Sequence, residues 1–335
     1  MELLAEGTPI AGPSMPRRRW MGVALCMVTT ATLAKENWPT RPVKFLVPSP
    51  PGGPADMFAR LFAAHCATVF SAPIIVENRP GATGSIASQA LARSPADGTT
   101  FLIGSNSTFV LTPLLQKHPG YDPARDFAPV GTFTSYPALL LGRRELPFSD
   151  VAGLVAHARN HPGRLNYASF GLGSLGHLAN EYLCHLTGVR VTHVNYPGTM
   201  AVLQALAKGE ADYAFDSYGN ARGLVDAGKI VPLAIASTQR DPRMPNVASM
   251  AESGFPQMDL RIWIGFVAPA GTRRDIVSRL NAELKRFAEL PETRQRLEAG
   301  ASDLDTGSPE AMAQRLNKER VFWTSVVKDA KVVVE

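Results

Sequence analysis

The stretch FLVPSPPGGPADMFARLF, residues 45–62, decides how the chain is read. It opens as a short apolar strand, breaks at Pro50, Pro51, Gly52, Gly53 and Pro54, and resumes as a helix. The helix assignment rests on Phe58, Leu61, Phe62 and Val69, which share one face of a 3.6-residue period. A strand that runs through paired glycines into a helix N-terminus leaves main-chain N–H groups without partners. The helix dipole adds partial positive charge at the same spot. Such a corner suits an anion, and a carboxylate needs no arginine to sit in it.

A second corner of this design is LNYASFGLGSLGHL, residues 165–178, leading into a helical pattern through Leu186. Its Gly171, Gly173 and Gly176 match G-x-G-x-x-G between strand and helix, the dinucleotide fingerprint. That fingerprint wants an acidic residue at the end of the next strand to hold a ribose hydroxyl. Here the next strand ends in Asn195, Tyr196, Pro197 and Gly198, with no Asp or Glu. A small anion therefore suits this corner better than a nucleotide.

The 335 residues, 45% of them hydrophobic, can fill the cores of two lobes. The net charge is +5, but the basic residues are dispersed, with Arg17–Arg19 the one run of three. No nucleic-acid partner is expected from such a distribution. Arg17–Arg19, the apolar stretch from Trp20 to Thr30 and the small residues around Ala34 form an export signal over 1–34, with Met15 an alternative start. A periplasmic location follows from that reading. Cys26 leaves with the signal, and Cys66 and Cys184 are expected as buried free thiols on two separate helices.

Strands and helices alternate from residue 43 onward, which predicts an α/β protein with parallel sheets covered by helices. The expected division places 35–138 plus 262–335 in a discontinuous first lobe and 139–261 in a second, with the ligand cleft between them. The crossings fall near Pro137–Arg143 and Leu260–Phe266.

Open α/β sheets bind ligands beyond the C-terminal ends of their strands. The candidates are therefore Ser49, Pro51, Gly52, Gly53 and Asp56 at the first corner and Ser105, Asn106 and Ser107 at the third strand end. Ser169, Phe170, Gly171, Leu172, Gly173, Ser174 and His177 stand at the second corner. Tyr196, Gly198, Thr199 and Asp216 close the set. Several have plainer readings. Asp56 is favoured by the helix dipole in any case. Ser107, Ser174, Thr199 and Asp216 can serve as helix caps. Arg79 is read as tying its loop through Glu77. His157 and His161 have the spacing of metal ligands, but Pro162 ends that helix and no acid follows, so no metal is expected. Ser174 has Leu172 where a nucleophile elbow needs glycine, and no catalytic residues or cofactor are expected.

Segments spread from Trp38 to Val327 resemble one family. They include 38–43 (WPTRPV), 47–56 (VPSPPGGPAD), 76–84 (VENRPGATG), 165–169 (LNYAS), 194–198 (VNYPG) and 266–272 (FVAPAGT). The chain is similar to the Bug (TctC-type) extracytoplasmic solute receptors of tripartite tricarboxylate transporters. The resemblance implies a type II periplasmic binding protein fold, two doubly wound lobes joined by crossing strands. It also implies a monomeric, non-enzymatic solute-binding protein that captures a small carboxylate and delivers it to a membrane permease. A receptor signalling to a membrane sensor and, more remotely, an α/β hydrolase-like enzyme are the alternatives. Ser49 stands where the family has an apolar side chain, while Phe170 and Leu172 stand where it has small or polar ones. These departures point to a monocarboxylate or aromatic acid rather than to citrate.

Overall fold

The computed structural model describes residues 38–332, together with 7–9 and 12. The basic run, apolar stretch and cleavage site expected within 1–34 lie outside the described residues.

The elements run β1 (Val43–Val47), α1 (Pro54–Val69), β2 (Ile74–Asn78), a 3-10 turn (Ala82–Gly84), α2 (Ser85–Ala92) and β3 (Thr100–Ser105). A π turn (Ser107–Leu111), α3 (Thr112–Leu115), α4 (Pro123–Asp126), β4 (Phe127–Pro137) and β5 (Leu139–Arg143) follow. Next come α5 (Val151–Asn160), β6 (Asn166–Ser169), α6 (Leu175–Thr187), β7 (Thr192–Asn195), α7 (Thr199–Lys208), β8 (Tyr213–Asp216), α8 (Tyr218–Asp226) and β9 (Ile230–Ile235). The chain continues through β10 (Arg261–Pro269), α9 (Arg274–Glu289), α10 (Pro291–Ala299), β11 (Asp303–Leu304) and α11 (Pro309–Asp329).

These strands form a six-stranded sheet, in the order β11-β4-β10-β3-β1-β2, and a five-stranded sheet, in the order β7-β6-β8-β5-β9. Neither is wholly parallel, a correction to the expectation from alternation. β10 runs antiparallel to β3 and β4, and β5 antiparallel to β8 and β9. The cause is the crossing itself. A single residue, Ala138, separates β4 from β5, so the chain enters the second sheet without a crossover helix to turn it parallel. The crossing segments are bonded to one another. Ala138 N–H donates to Leu260 O at 2.8 Å, Leu260 N–H to Ala236 O at 3.0 Å and Ala236 N–H to Ala138 O at 2.8 Å.

Burial explains the elements nearest the site. β1 has Phe45, Leu46 and Val47 fully buried between two layers of helices, as a central parallel strand should. In α1 the buried stripe is Phe58, Ala59, Phe62, Ala63 and Cys66; Val69, read as part of the apolar face, is 43% exposed at the frayed end. Phe62 stacks on Phe45 at 5.6 Å and meets Phe266 edge-on at 5.2 Å, locking α1 onto the sheet. Both remaining cysteines are free. Cys66 is buried, with its thiol pushed far up by that burial, and Cys184 is half-buried. The predicted helix 107–116 is a π turn followed by the short α3. Such widened turns recur at functional sites.

Because Phe62 joins β1, β10 and α9 in one aromatic cluster, Phe62→Ala is expected to cost about 3–5 kcal/mol. Urea denaturation of the variant measures it.

Candidate functional site

The strand ends of the two sheets meet along a seam of direct hydrogen bonds. Thr83 Oγ1, from the turn after β2, donates to Leu172 O at 3.0 Å. Leu175 N–H, the first amide of α6, donates to Ser107 Oγ at 3.0 Å. Thr112 Oγ1 lies 3.2 Å from Thr83 O and 3.4 Å from Gly173 O. The glycines of the second corner allow this approach. A Cβ on Gly171 would stand 2.6 Å from Thr83 Oγ1 and one on Gly173 2.7 Å from Thr112 Cα, while Gly176 lets α6 approach its own sheet, where a Cβ would stand 2.8 Å from Phe215 O. The G-x-G-x-x-G spacing is thus a packing device, which is why no acidic ribose partner follows it.

Two expectations about free donors are corrected here. At the first corner Gly52 N–H is not bare: it donates to Asp56 Oδ2 at 2.9 Å. The same buried carboxylate accepts from Asn78 Nδ2 at 2.9 Å and pairs with Arg60 at 3.0 Å. Burial would raise its pKa, but the Arg60, Gly52 and Asn78 hydrogen bonds outweigh that and hold it below the usual range. At the second corner the amides of α6 are also taken, Leu175 by Ser107 and His177 by the capping hydroxyl of Ser174.

Capping separates the five helices that follow these strand ends. Ser174 caps α6 and Ser217 caps α8 with side-chain hydrogen bonds. Gly53, Gly84 and Gly198 stand at the caps of α1, α2 and α7 and provide none. Thr199, read as a cap, is instead the first residue inside α7. At Gly52 and Gly198 a Cβ would meet nothing within 4 Å, so both turns border open space. The first amide of α2, Ser85 N–H, already donates to Ala82 O, and Gly84 packs against Thr108 and Pro48, so the helix ends left with unshared amides beside open space are those of α1 and α7.

The structure brings Ser107, Ser169, Gly171, Leu172, Gly173, Ser174 and Thr83 to the seam, with Phe170 and Leu172 half-buried. Tyr196 joins them through its N–H, which donates to Ser169 O at 2.9 Å. Pro51, Gly52, Gly53 and Asp56 cluster separately with Ser49, whose buried hydroxyl has no partner among the described residues. Ser105 ends β3 half-buried, and Asn106 anchors that strand end by donating to Arg261 O at 2.8 Å. Asp216 buttresses α8 through Ser217 N–H at 2.7 Å and Asn220 Nδ2 at 2.8 Å. Its other oxygen is buried without a partner among the described residues, and burial pushes its pKa up to about 6. Arg79 pairs with Glu77.

Residue reasoning missed the turn after β2. Gly81, Ala82, Thr83 and Gly84 all have positive φ, from 46° to 125°, a strained run of the kind that collects at functional sites. Its signal was visible as Gly81-x-x-Gly84 between a strand and a helix. His193 was also missed; its ring Nε2 lies 2.7 Å from Ser169 Oγ. His177, a candidate at the second corner, is 4% exposed and packs against Tyr167 and His193. A serine so close to an imidazole resembles an activated nucleophile. Here Ser169 is 1% exposed, and burial lowers the His193 pKa to about 4, too weak a base for neutral pH.

The model of the tripartite tricarboxylate transporter family receptor, TctC, matches residues 58–331. The chain belongs to the TctC receptor family. A relative from Pseudomonas sp. strain P51, the UPF0065 protein in the tcbD-tcbE intergenic region, is 33% identical over 94% of this chain and 95% of its own length. Among solved structures, R. palustris Rpa4515 with adipate superposes with a TM-score of 0.83 at 36% identity, covering 88% of this chain and 99% of that one. MatC from Rhodopseudomonas palustris with bound malate gives 0.81 at 34% identity, covering 86% and 99%. The family resemblance and the periplasmic solute-binding fold read from the motifs are therefore confirmed. TctC receptors are periplasmic solute-binding proteins, and this TctC chain shares their two-sheet architecture.

Two outcomes are expected. Gly173→Ala, which adds a Cβ at φ +77° against the Thr112 backbone, should lower stability by about 1–3 kcal/mol in thermal denaturation. For Asp216, the folded pKa is raised, so the penalty of its charge is absent below the unfolded value near 4, grows as pH rises from there to about 6 and is constant above that. Asp216→Asn should therefore be more stable than wild type by ~2 kcal/mol at pH 8, with the difference vanishing near pH 4.

Proposed function

We propose that this TctC receptor captures a small carboxylated organic acid between its two sheets and delivers it to a membrane permease of the tripartite tricarboxylate transporter type. In this reading 1–34 is a cleaved export signal and the receptor works as a monomer. The first lobe comprises 35–138 plus 262–335, and the second comprises 139–261. The observation that carries the proposal is the division of helix caps. α1 of one sheet and α7 of the other keep glycine-capped N-termini, without side-chain acceptors, at turns that border open space. A ligand carboxylate supplies the acceptor those amides lack. Because the amides belong to both sheets, such a ligand binds the closed arrangement better than an open one and shifts the population toward it.

Half-buried Phe170 and Leu172 favour an acid with an apolar body over a densely charged one. The adipate held by Rpa4515, whose sequence is 36% identical, has that character. The bonded crossing at Ala138, Ala236 and Leu260 serves as the hinge.

Thermal-shift and calorimetric titrations with adipate, malate, citrate and benzoate test the proposal. At a hundredfold excess over its dissociation constant, the bound acid should stabilise the protein by about 2.7 kcal/mol. Adipate or benzoate should outbind citrate. Absence of stabilisation by every acid would refute the binding reading, and tightest binding of citrate would refute the apolar-body reading.

A further inference from the structure

A cluster of aromatic and titratable side chains lies behind the second corner, on the face of the five-stranded sheet covered by α6. His193 stacks on Tyr167 at 4.8 Å and lies 4.9 Å from His177. Tyr167 OH donates to Glu181 Oε1 at 2.5 Å. Tyr167 also packs against Tyr213 at 6.2 Å. The front of the cluster reaches the glycine-rich turn side chain to side chain, His193 Nε2 lying 2.7 Å from Ser169 Oγ.

The direction of that bond follows from proton counting. The Ser169 hydroxyl has one proton and two acceptors in reach, Gly171 O at 3.3 Å and His193 Nε2 at 2.7 Å. The shorter contact takes it. Ser169 Oγ then accepts from Gly171 N–H at 3.2 Å, so the hydroxyl ties β7 to the first residues of the turn. That turn carries Leu172, Gly173 and Leu175, which make the bonds to Thr83, Thr112 and Ser107 of the other sheet.

We propose that His193 is a positioning residue of the ligand site: as the neutral Nδ1–H tautomer it accepts the Ser169 proton and holds the 169–175 turn in the geometry that meets the other sheet. This inference rests on the ligand-binding reading above. Protonated His193 can only donate, so the Ser169 proton must turn to Gly171 O and the tie reverses polarity. The groups facing the ring are His177 and Glu181 from α6, Tyr167 from β6 and Ser169 itself. Burial, with the charge of nearby His177 adding to it, keeps the ring neutral to about pH 4, while Glu181 opposes the shift. His177 is lowered to about 4 by burial as well. The tie is thus intact at neutral pH and fails on acidification.

Two measurements test the role. In calorimetric titration with adipate at pH 7, His193→Phe, which removes the acceptor, should bind roughly tenfold more weakly. His193→Gln, whose side-chain carbonyl can still accept, should stay within about threefold of wild type. Adding His193→Phe to Ser169→Ala should cost nothing beyond Ser169→Ala, because both remove one bond. Equal binding by His193→Phe and wild type, or equal losses in the Phe and Gln variants, overturns the proposal. The second measurement needs no ligand. Nitrogen–proton correlation spectra of the imidazoles should show His193 as the Nδ1–H tautomer down to about pH 4, with that preference lost in Ser169→Ala. An Nε2–H tautomer, or titration near the ordinary histidine value, overturns it. If wild type fails to bind adipate, the adipate-like ligand class falls, and the spectra still decide the role of His193.

Discussion

The amides at the start of each α-helix must find an acceptor, and this protein is organised by which acceptor each one finds. At α6 the acceptors are internal, the Ser107 hydroxyl from the other sheet and the Ser174 hydroxyl from its own turn. Those bonds turn a glycine-rich corner into a joint between sheets. At α1, α2 and α7 the caps are glycines with no side-chain acceptor to offer. In the proposed reading the same local design serves two purposes, fastening at α6 and receptivity at α1 and α7. A neutral hydroxyl of the protein does at α6 what a ligand carboxylate would do elsewhere.

The surroundings of these corners are stiff, as a site built on main-chain donors requires. Asp56 draws Gly52, Asn78 and Arg60 into one network, so the proline-rich loop is held from its own helix. Phe45, Phe62 and Phe266 fix the angle at which α1 meets the sheet. Stiffness matters because a loop ordered before binding loses less conformational entropy when the ligand arrives. The strained turn from Gly81 to Gly84 fits this picture. Its positive φ values persist because Thr83 is held to Leu172 on one side, while Gly84 lies against Thr108 and Pro48 on the other.

Much of the fold was legible along the chain, since apolar periodicity and βα alternation are local properties. Trp38 to Val327 carried enough motif to name the family. The first corner was found because proline and glycine between a strand and a helix have few other uses. What was misread shares one cause. Gly52 and the α6 amides were taken as free because their partners, Asp56 across a tight turn and Ser107 68 positions away, cannot be identified without coordinates. His193 carried no signal at all, because its link to Ser169 arises from the register in which Tyr167 faces His193 across β6 and β7.

The sequence by itself determined the alternation of strands and helices and the receptor family, because each depends on residues adjacent in the chain. Tertiary structure decided which corners stay open, where the strands turn antiparallel and which histidine reaches Ser169. Those outcomes depend on distances between segments far apart in sequence, and a hydrogen bond forms or fails within a few tenths of an ångström.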